Sequence, residues 1–288
     1  MLEEHDSSVR CLNILHSKNK KYLISAGGKE ELIIWEIFKK KKLFLKLNLS
    51  TTTKNNIFYE MKLSSRSNEY RILSLESMIL NENQILIITG SSDSLIKFFV
   101  YFVGKNEILT IAYSNFHEGN VNQLLIRDSK TLISAGTEGN ISIFDIEFIH
   151  QKEFHLIEPI AHFKAHKSVI TSISSNEHFL ATGGDDQSIN FFHLFDLTKI
   201  ESNSHQNQHF TQITGIYLNE NFLISTGIDQ KLNIYSFKKL ILKLEKSILL
   251  DITNILNMIV LERKEDFLII VIGSGIQLLK ISKNLFNK

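Results

Sequence analysis

Short aliphatic runs recur along the chain, each closed by a small-residue turn and followed by a second apolar run ending in an aromatic. The first reads Leu23-Ile24-Ser25-Ala26-Gly27-Gly28, then Leu32-Ile33-Ile34-Trp35. It returns as Ile88-Thr89-Gly90-Ser91-Ser92-Asp93 with Ile96-Lys97-Phe98-Phe99, and as Ile133-Ser134-Ala135-Gly136-Thr137-Glu138 with Ile141-Ser142-Ile143-Phe144. Two further copies are Ala181-Thr182-Gly183-Gly184-Asp185-Asp186 with Ile189-Asn190-Phe191-Phe192, and Ile224-Ser225-Thr226-Gly227-Ile228-Asp229 with Leu232-Asn233-Ile234-Tyr235. A degenerate copy runs from Val271-Ile272-Gly273-Ser274-Gly275 to Ile276-Gln277-Leu278-Leu279. Runs this short, rich in β-branched residues and bounded by Gly, Ser and Asp, predict paired strands. Anchored three residues before the aromatic, the copies fall at 32, 96, 141, 189, 232 and 276, spaced by 64, 45, 48, 43 and 44. Four copies also carry an upstream histidine with a β-branched residue four later: His5/Val9, His117/Val121, His166/Ile170 and His209/Ile213. An aliphatic follows three further on, at Leu12, Leu124, Ile173 and Ile216.

A sustained period near 45 with this block resembles the WD40 repeat, in which each copy is one β-propeller blade. The resemblance implies an all-β chain, a WD40 β-propeller of six recognisable blades in a single domain over 1–288. Each blade would hold three strands in order, with a fourth after the aromatic. In the first blade these are expected at 9–15, 22–26, 31–37 and 43–47. The long first spacing reflects a polar insertion at about 48–69, too short to hide another blade. Rings of this family usually have seven blades. The expectation is therefore an incomplete seven-bladed ring, a piece of a longer polypeptide, or a ring completed by a partner. Its open edge would be an unpaired β template.

Composition narrows the function classes. With 43% hydrophobic and 22% charged residues over 288 positions, the chain can bury a large core. Thirty-two basic residues against 31 acidic ones leave +1, which excludes binding to nucleic acid by overall field alone. One cysteine, Cys11, forbids an intrachain disulfide and Cys-rich zinc ligation, and suits a reducing compartment. The acidic start lacks the basic and apolar regions of a signal peptide, and no stretch reaches the ~20 apolar residues of a membrane helix. A cytoplasmic chain without membrane contact is expected. The single proline, Pro159, sits with an excess of Ile, Asn and Lys that points to an A/T-biased genome.

The strongest polar constellation belongs to the repeat. In the WD40 pattern a turn Asp, the upstream His, a strand Ser or Thr and the Trp form a hydrogen-bonded chain. Carried onto this sequence, the set is His166, Thr182 and Asp186 with Phe192 in the fourth blade. In the fifth it is His209, Ser225 and Asp229 with Tyr235, and in the third His117, Ser134 and Glu138 with Phe144. The first keeps His5, Ser25 and Trp35 but has Lys29 where the acid belongs, and the second keeps Thr89 and Asp93 without a histidine. A hydrolase would need one such set on an exposed elbow, and no G-x-S-x-G occurs. Repetition in several blades argues for structure. His162/His166 and His205/His209 have i,i+4 spacing, but in loops rather than on a helix, so no metal site is expected. Gly27-Gly28 and Gly183-Gly184 complete no Walker motif. No cofactor, no small-molecule substrate and no catalytic activity are expected.

Surface sites follow from blade geometry. The turns between second and third strands, with the histidine loops, would form one face; Arg10, Lys29, Glu30, Ser92, Asn120, Asp185, Gln187 and Gln230 are candidate partner contacts there. On the opposite rim, Lys18, Lys20, Lys21, Lys39, Lys40, Lys41, Lys42, Lys238, Lys239, Arg263 and Lys264 are candidate phosphate contacts, or simply solvated turn lysines.

A closer likeness rests on particular words: Ser25-Ala26-Gly27-Gly28-Lys29-Glu30-Glu31-Leu32, Tyr70-Arg71-Ile72-Leu73-Ser74-Leu75, Thr182-Gly183-Gly184-Asp185-Asp186, and Gln212-Ile213-Thr214-Gly215 with Asp229-Gln230. Their order resembles the C-terminal propeller of the WD-repeat, non-catalytic subunit of the tRNA ribose 2′-O-methyltransferase. That resemblance implies a scaffold that binds a methyltransferase subunit and helps present tRNA for wobble-nucleotide methylation. The alternative is a WD40 interaction module unrelated to tRNA, in trafficking or ubiquitin ligase assembly.

Overall fold

The computed structural model describes residues 5, 7–16, 20–37, 42–48, 70–147, 155–194, 201–205 and 208–283. The first copy of the repeat folds into β1 (Val9–His16), β2 (Lys21–Gly27), β3 (Glu31–Ile37) and β4 (Lys42–Asn48), hydrogen-bonded in that order. The second supplies β5 (Ile72–Asn81), β6 (Gln84–Ser91), β7 (Ile96–Phe102) and β8 (Glu107–Ser114), and the third β9 (Val121–Ile126), β10 (Thr131–Gly136) and β11 (Asn140–Asp145). The short β12 (His155–Leu156) runs parallel to β8 as a fifth strand of the second sheet, and β13 (Ala161–Lys164) completes the third. The fourth sheet is β14 (Ile170–Ser175), β15 (Phe179–Gly184), β16 (Ile189–His193) and β17 (Glu201–His205). The fifth is β18 (Ile213–Leu218), β19 (Phe222–Gly227), β20 (Lys231–Lys238) and β21 (Ile241–Leu249). The sixth has three strands among the described residues: β22 (Asn257–Glu262), β23 (Asp266–Ile272) and β24 (Ile276–Ser282).

The fold class is all-β, with six β-propeller blades, as the period predicts. The chain divides into two compact units, Met1–Gly136 with Phe144–Pro159, and Thr137–Ile143 with Ile160–Lys288. In the first unit, Leu32 and Ile34 of β3 share a core with Ile72 and Leu75 of β5, and Ile96 and Phe98 of β7 with Val121 and Leu124 of β9. In the second, Ile189 and Phe191 of β16 pack with Ile213 and Ile216 of β18, and Leu232 and Ile234 of β20 with Ile255 and Met258. Each such aliphatic side chain contributes roughly 1.5–3 kcal/mol by leaving water.

Two local devices set the turns. A β-bulge opens the first hairpin of each of five blades, between Val9/Cys11, Ile72/Ser74, Ala135/Gly136, Ile170/Ser172 and Ile213/Gly215. Two residues before the anchor, Ser94, Gly139, Gln187 and Gln230 all take left-handed backbone, with φ of 69°, 83°, 66° and 62°. The glycine is required at 139, because a Cβ there would meet the His166 carbonyl oxygen. The first blade departs from this, using a single 3₁₀ turn, Gly28–Glu30, with Lys29 at φ 54°. Among the described residues no helix is long and apolar enough to cross a membrane.

Candidate functional site

The turn between second and third strands is pinned to the entry of the first strand in five blades. Gly28 donates its N–H to the Ser8 carbonyl at 3.0 Å, Ser92 to Arg71 at 2.9 Å, Asp185 to Val169 at 2.9 Å, Ile228 to Gln212 at 3.1 Å and Ser274 to Thr253 at 2.8 Å. That pin brings the histidine loop over the turn acid.

In the fourth blade the structure brings together His166, Thr182 and Asp186. The buried ring places Nε2 2.7 Å from Thr182 Oγ1 and Nδ1 2.9 Å from Asp186 Oδ1. A carboxylate only accepts, so Nδ1 carries the proton. Asp186 also accepts from Ser188 Oγ at 2.6 Å, the Lys167 N–H at 3.0 Å and the Ser188 N–H at 3.2 Å. Burial works to raise its pKa, yet the His166, Ser188 and Lys167 bonds outweigh it and hold the carboxyl below the usual range.

The fifth blade repeats the arrangement. His209 Nε2 lies 2.7 Å from Ser225 Oγ and Nδ1 2.9 Å from Asp229 Oδ1, while Asp229 takes the Phe210 and Lys231 N–H groups at 3.0 and 3.2 Å. Burial lowers the His209 pKa against the opposing pull of Asp229, so the ring is neutral at pH 7. The pair is a hydrogen bond, not an ion pair. Ser225 then donates to Nε2. In the third blade His117 Nε2 sits 2.7 Å from Ser134 Oγ, both buried.

The first blade holds a residue that alignment with the repeat misses. Trp35 Nε1–H donates to Ser25 Oγ at 2.9 Å, and Ser25 Oγ lies 2.7 Å from His5 Nε2. His5 Nδ1 meets Glu31 Oε2 at 3.2 Å; Ser7 Oγ lies 3.3 Å from the same oxygen and donates to the Gly28 carbonyl at 2.7 Å. The buried Glu31, first residue of β3, supplies the acid that Lys29 does not. The one signal was a carboxylate directly before the apolar run Leu32–Trp35. In the second blade Asp93 accepts from Ser91 Oγ and from the Leu95 N–H.

These groups use up one another's hydrogen-bonding capacity, and no exposed nucleophile stands among them. His162 bonds Ser142 Oγ at 2.7 Å and His205 Nε2 donates to the Leu240 carbonyl at 2.9 Å, so neither histidine converges with its i+4 neighbour. Among the described residues no cluster of His, Cys, Asp and Glu could hold a metal. Cys11, half-buried on β1, contacts the Ala26 carbonyl, and burial pushes its thiol up to about 12.

The candidate partner contacts other than Arg10 fall at turns or loops. Lys29 and Asp185 are exposed, as is Arg10 on β1; Gln187 and Gln230 hold the left-handed positions. Ser92 Oγ is partly occupied, accepting the Arg71 N–H at 2.9 Å, and Asn120 is half-buried. Glu30 lies in the 3₁₀ turn, its side chain outside the described residues. In the first unit Arg10, Lys29, Ser92 and Asn120 are so placed; in the second, Asp185, Gln187 and Gln230.

Of the basic set, Lys18, Lys39, Lys40 and Lys41 lie outside the described residues, as does the side chain of Lys42. Lys20 binds Glu36 at 2.9 Å, while Lys21 is exposed. In the second unit Lys238, Lys239, Arg263 and Lys264 are exposed in turns at the same end of neighbouring blades. Carboxylates sit among them: Glu262 takes Lys283 at 2.7 Å and Asp266 takes Lys280 at 3.1 Å. The local field is mixed.

The family model described as WD domain, G-beta repeat, matches residues 157–193, which span β13 to β16 with His166, Thr182 and Asp186. That stretch is similar to a WD40 repeat. No curated protein matches the chain. The polar chain of the matched blade, like that of the fifth, is internal to the blade.

Proposed function

We propose that this WD40 chain is a non-catalytic scaffold of tRNA modification, binding the methyltransferase subunit of a tRNA ribose 2′-O-methyltransferase and supporting wobble-nucleotide methylation in the cytoplasm. One observation carries the scaffold reading: the buried His–Ser/Thr–acid sets are satisfied internally, which leaves exposed turn residues such as Lys29 and Asp185 as the groups free to meet a partner. The tRNA reading is supported by the sequence words around Lys29, Arg71, Asp185 and Gln230, three of which sit in the pinned turns or beside them. Direct tRNA contact would run through Lys238, Lys239, Arg263 and Lys264 of the second unit. The second reading is a WD40 interaction module without a tRNA role, favoured by the mixed field at the basic turns.

Affinity purification of the tagged protein, with nucleoside analysis of tRNA from a deletion strain, tests the choice. The proposal expects a methyltransferase in the eluate and loss of wobble ribose methylation. Intact methylation with no methyltransferase recovered leaves the general interaction module.

A further inference from the structure

Each junction between consecutive blades inside a unit obeys one rule: two third-strand residues, two apart, meet two residues of the next blade, three apart. The pairs are Leu32/Ile34 with Ile72/Leu75, Ile96/Phe98 with Val121/Leu124, Ile189/Phe191 with Ile213/Ile216, and Leu232/Ile234 with Ile255/Met258. None of these side chains is more than 9% exposed.

Two faces break the rule, and they break it as opposite halves. On β24, Ile276 and Leu278 occupy the third-strand positions yet are 69% and 63% exposed. On β1, Val9 and Leu12 occupy the first-strand positions, three apart, and are 45% and 63% exposed; Ile14 extends the same face. The outer backbone edge of β24 also has no fourth strand among the described residues, whereas the third strands of the other five blades are paired there. Lys280, next in the β24 alternation, is bridged to Asp266 at 3.1 Å and brings no bare charge to the face. Exposed aliphatic rows on a strand are a template for association.

We propose that a second copy of this chain covers β24, with Val9, Leu12 and Ile14 of its β1 seated on Ile276 and Leu278. The contact continues the blade-to-blade interface that the four buried junctions establish, and this chain displays both of its halves. A second copy is therefore the occupant whose side-chain spacing the structure already prescribes. The interface is head-to-tail, so each pairing leaves one face of each kind free and association proceeds beyond two chains or closes in a ring.

Analytical ultracentrifugation of the full chain over a wide concentration range reads this directly. The mass should rise with concentration past that of one chain. Leu12→Asp and Leu278→Asp should each abolish the rise, and their equimolar mixture should give a two-chain species and nothing larger, because one intact face of each kind remains. At a concentration low enough that the wild type is a single chain, melting of each variant, followed by circular dichroism, should match it, since both positions are exposed. The proposal is overturned by a wild-type monomer at every concentration. It is overturned equally by a mixture that fails to pair while the wild type associates, or by a fall in melting midpoint at that low concentration, showing that the faces are covered within one chain.

Discussion

Replacing Asp186 by alanine removes the acceptor around which the fourth blade's turn is organised. Four donors converge on it: His166 Nδ1 at 2.9 Å, Ser188 Oγ at 2.6 Å, and the Lys167 and Ser188 N–H groups at 3.0 and 3.2 Å. Bonds to a charged acceptor contribute about 1.5–3 kcal/mol each, but not additively, and a buried donor left unmet costs about 1–3 kcal/mol. The exposed Lys167 N–H can return to water. The His166 ring cannot, though Ser188 Oγ, 3.1 Å from Nδ1, can take up part of the loss. The net cost is about 2–4 kcal/mol. Asp186→Asn keeps one acceptor oxygen and should lose about half as much. Urea unfolding by far-UV circular dichroism supplies the midpoint, and amide hydrogen exchange should localise the loss of protection to β14, β15 and β16. The pH dependence has a definite sign. The folded-state pKa of Asp186 is depressed, so its stabilisation is present above the unfolded carboxyl value, about 4, and fades as pH falls below it. The gap between wild type and Asp186→Ala should therefore narrow in acid. A change in unfolding free energy under about 0.5 kcal/mol at pH 7, with exchange in β15 unaltered, would refute the view that this acid organises the blade.

Further perturbations probe other parts of the structure. Ser25→Ala leaves the buried Trp35 indole N–H without its acceptor and should cost about 1–3 kcal/mol in unfolding followed by tryptophan fluorescence; Trp35 is the one tryptophan of the chain. Gln187→Gly should be neutral to stabilising by up to about 1 kcal/mol because it relieves left-handed backbone, whereas Gly139→Ala should destabilise by driving a Cβ into the His166 carbonyl; thermal melts of the two should shift in opposite directions or leave Gln187→Gly unmoved. Burial raises the Glu76 pKa to about 7 against its bonds from the Ser77 N–H and Asn13, so its neutral form is favoured on folding and stability falls as pH rises through that range. Glu76→Gln should accordingly raise the unfolding free energy from urea titration at pH 8, by about 3 kcal/mol at most, and change it little at pH 4. Cys11, its thiol pushed up to about 12, should react with maleimide at pH 7.4 far more slowly than free cysteine, and equal rates would contradict its burial.

The blade framework was legible because each strand carries its own period. The expected strand at 31–37 coincides with β3, and those at 9–15, 22–26 and 43–47 fall inside β1, β2 and β4. These signals are local: β19 is buried along its whole length and β15 from Leu180 on, each a short apolar and small-residue run, and the turn acids and left-handed residues recur at fixed offsets. Glu31 escaped because the alignment looks for an acid in the turn. Once Lys29 turns the backbone within a 3₁₀ turn, the residue that reaches His5 is the first of the next strand. The two-residue β12 escaped for a related reason: its pairing with Ala112 and Tyr113 depends on a strand some forty positions earlier, with no periodicity of its own.

The first strands show most plainly what a single-strand reading leaves out. Ile-Thr-Ser-Ile-Ser-Ser over β14 is a weak strand by apolar alternation, since four of its six residues are polar. Its serines have a specific use. As a first strand, β18 has one backbone edge that no strand of its own blade pairs, and its N–H groups need partners. Ser172 Oγ accepts from the Ile216 N–H at 2.9 Å and Ser174 Oγ from Leu218 at 3.0 Å, while Thr171 Oγ1 donates to the Ile213 carbonyl. In the other unit Ser74 Oγ does the same for the Val121 carbonyl at 2.9 Å. The polar residues are thus spaced two apart to match a neighbouring strand's edge, 44 positions along the chain. In the first strand at Val9–His16 the equivalent positions are Cys11 and Asn13, and Asn13 Nδ2 donates to Glu76 of β5 at 3.3 Å; Leu12 and Ile14, which alternate with them, form an exposed apolar row, the chemistry a packed blade, not solvent, would cover.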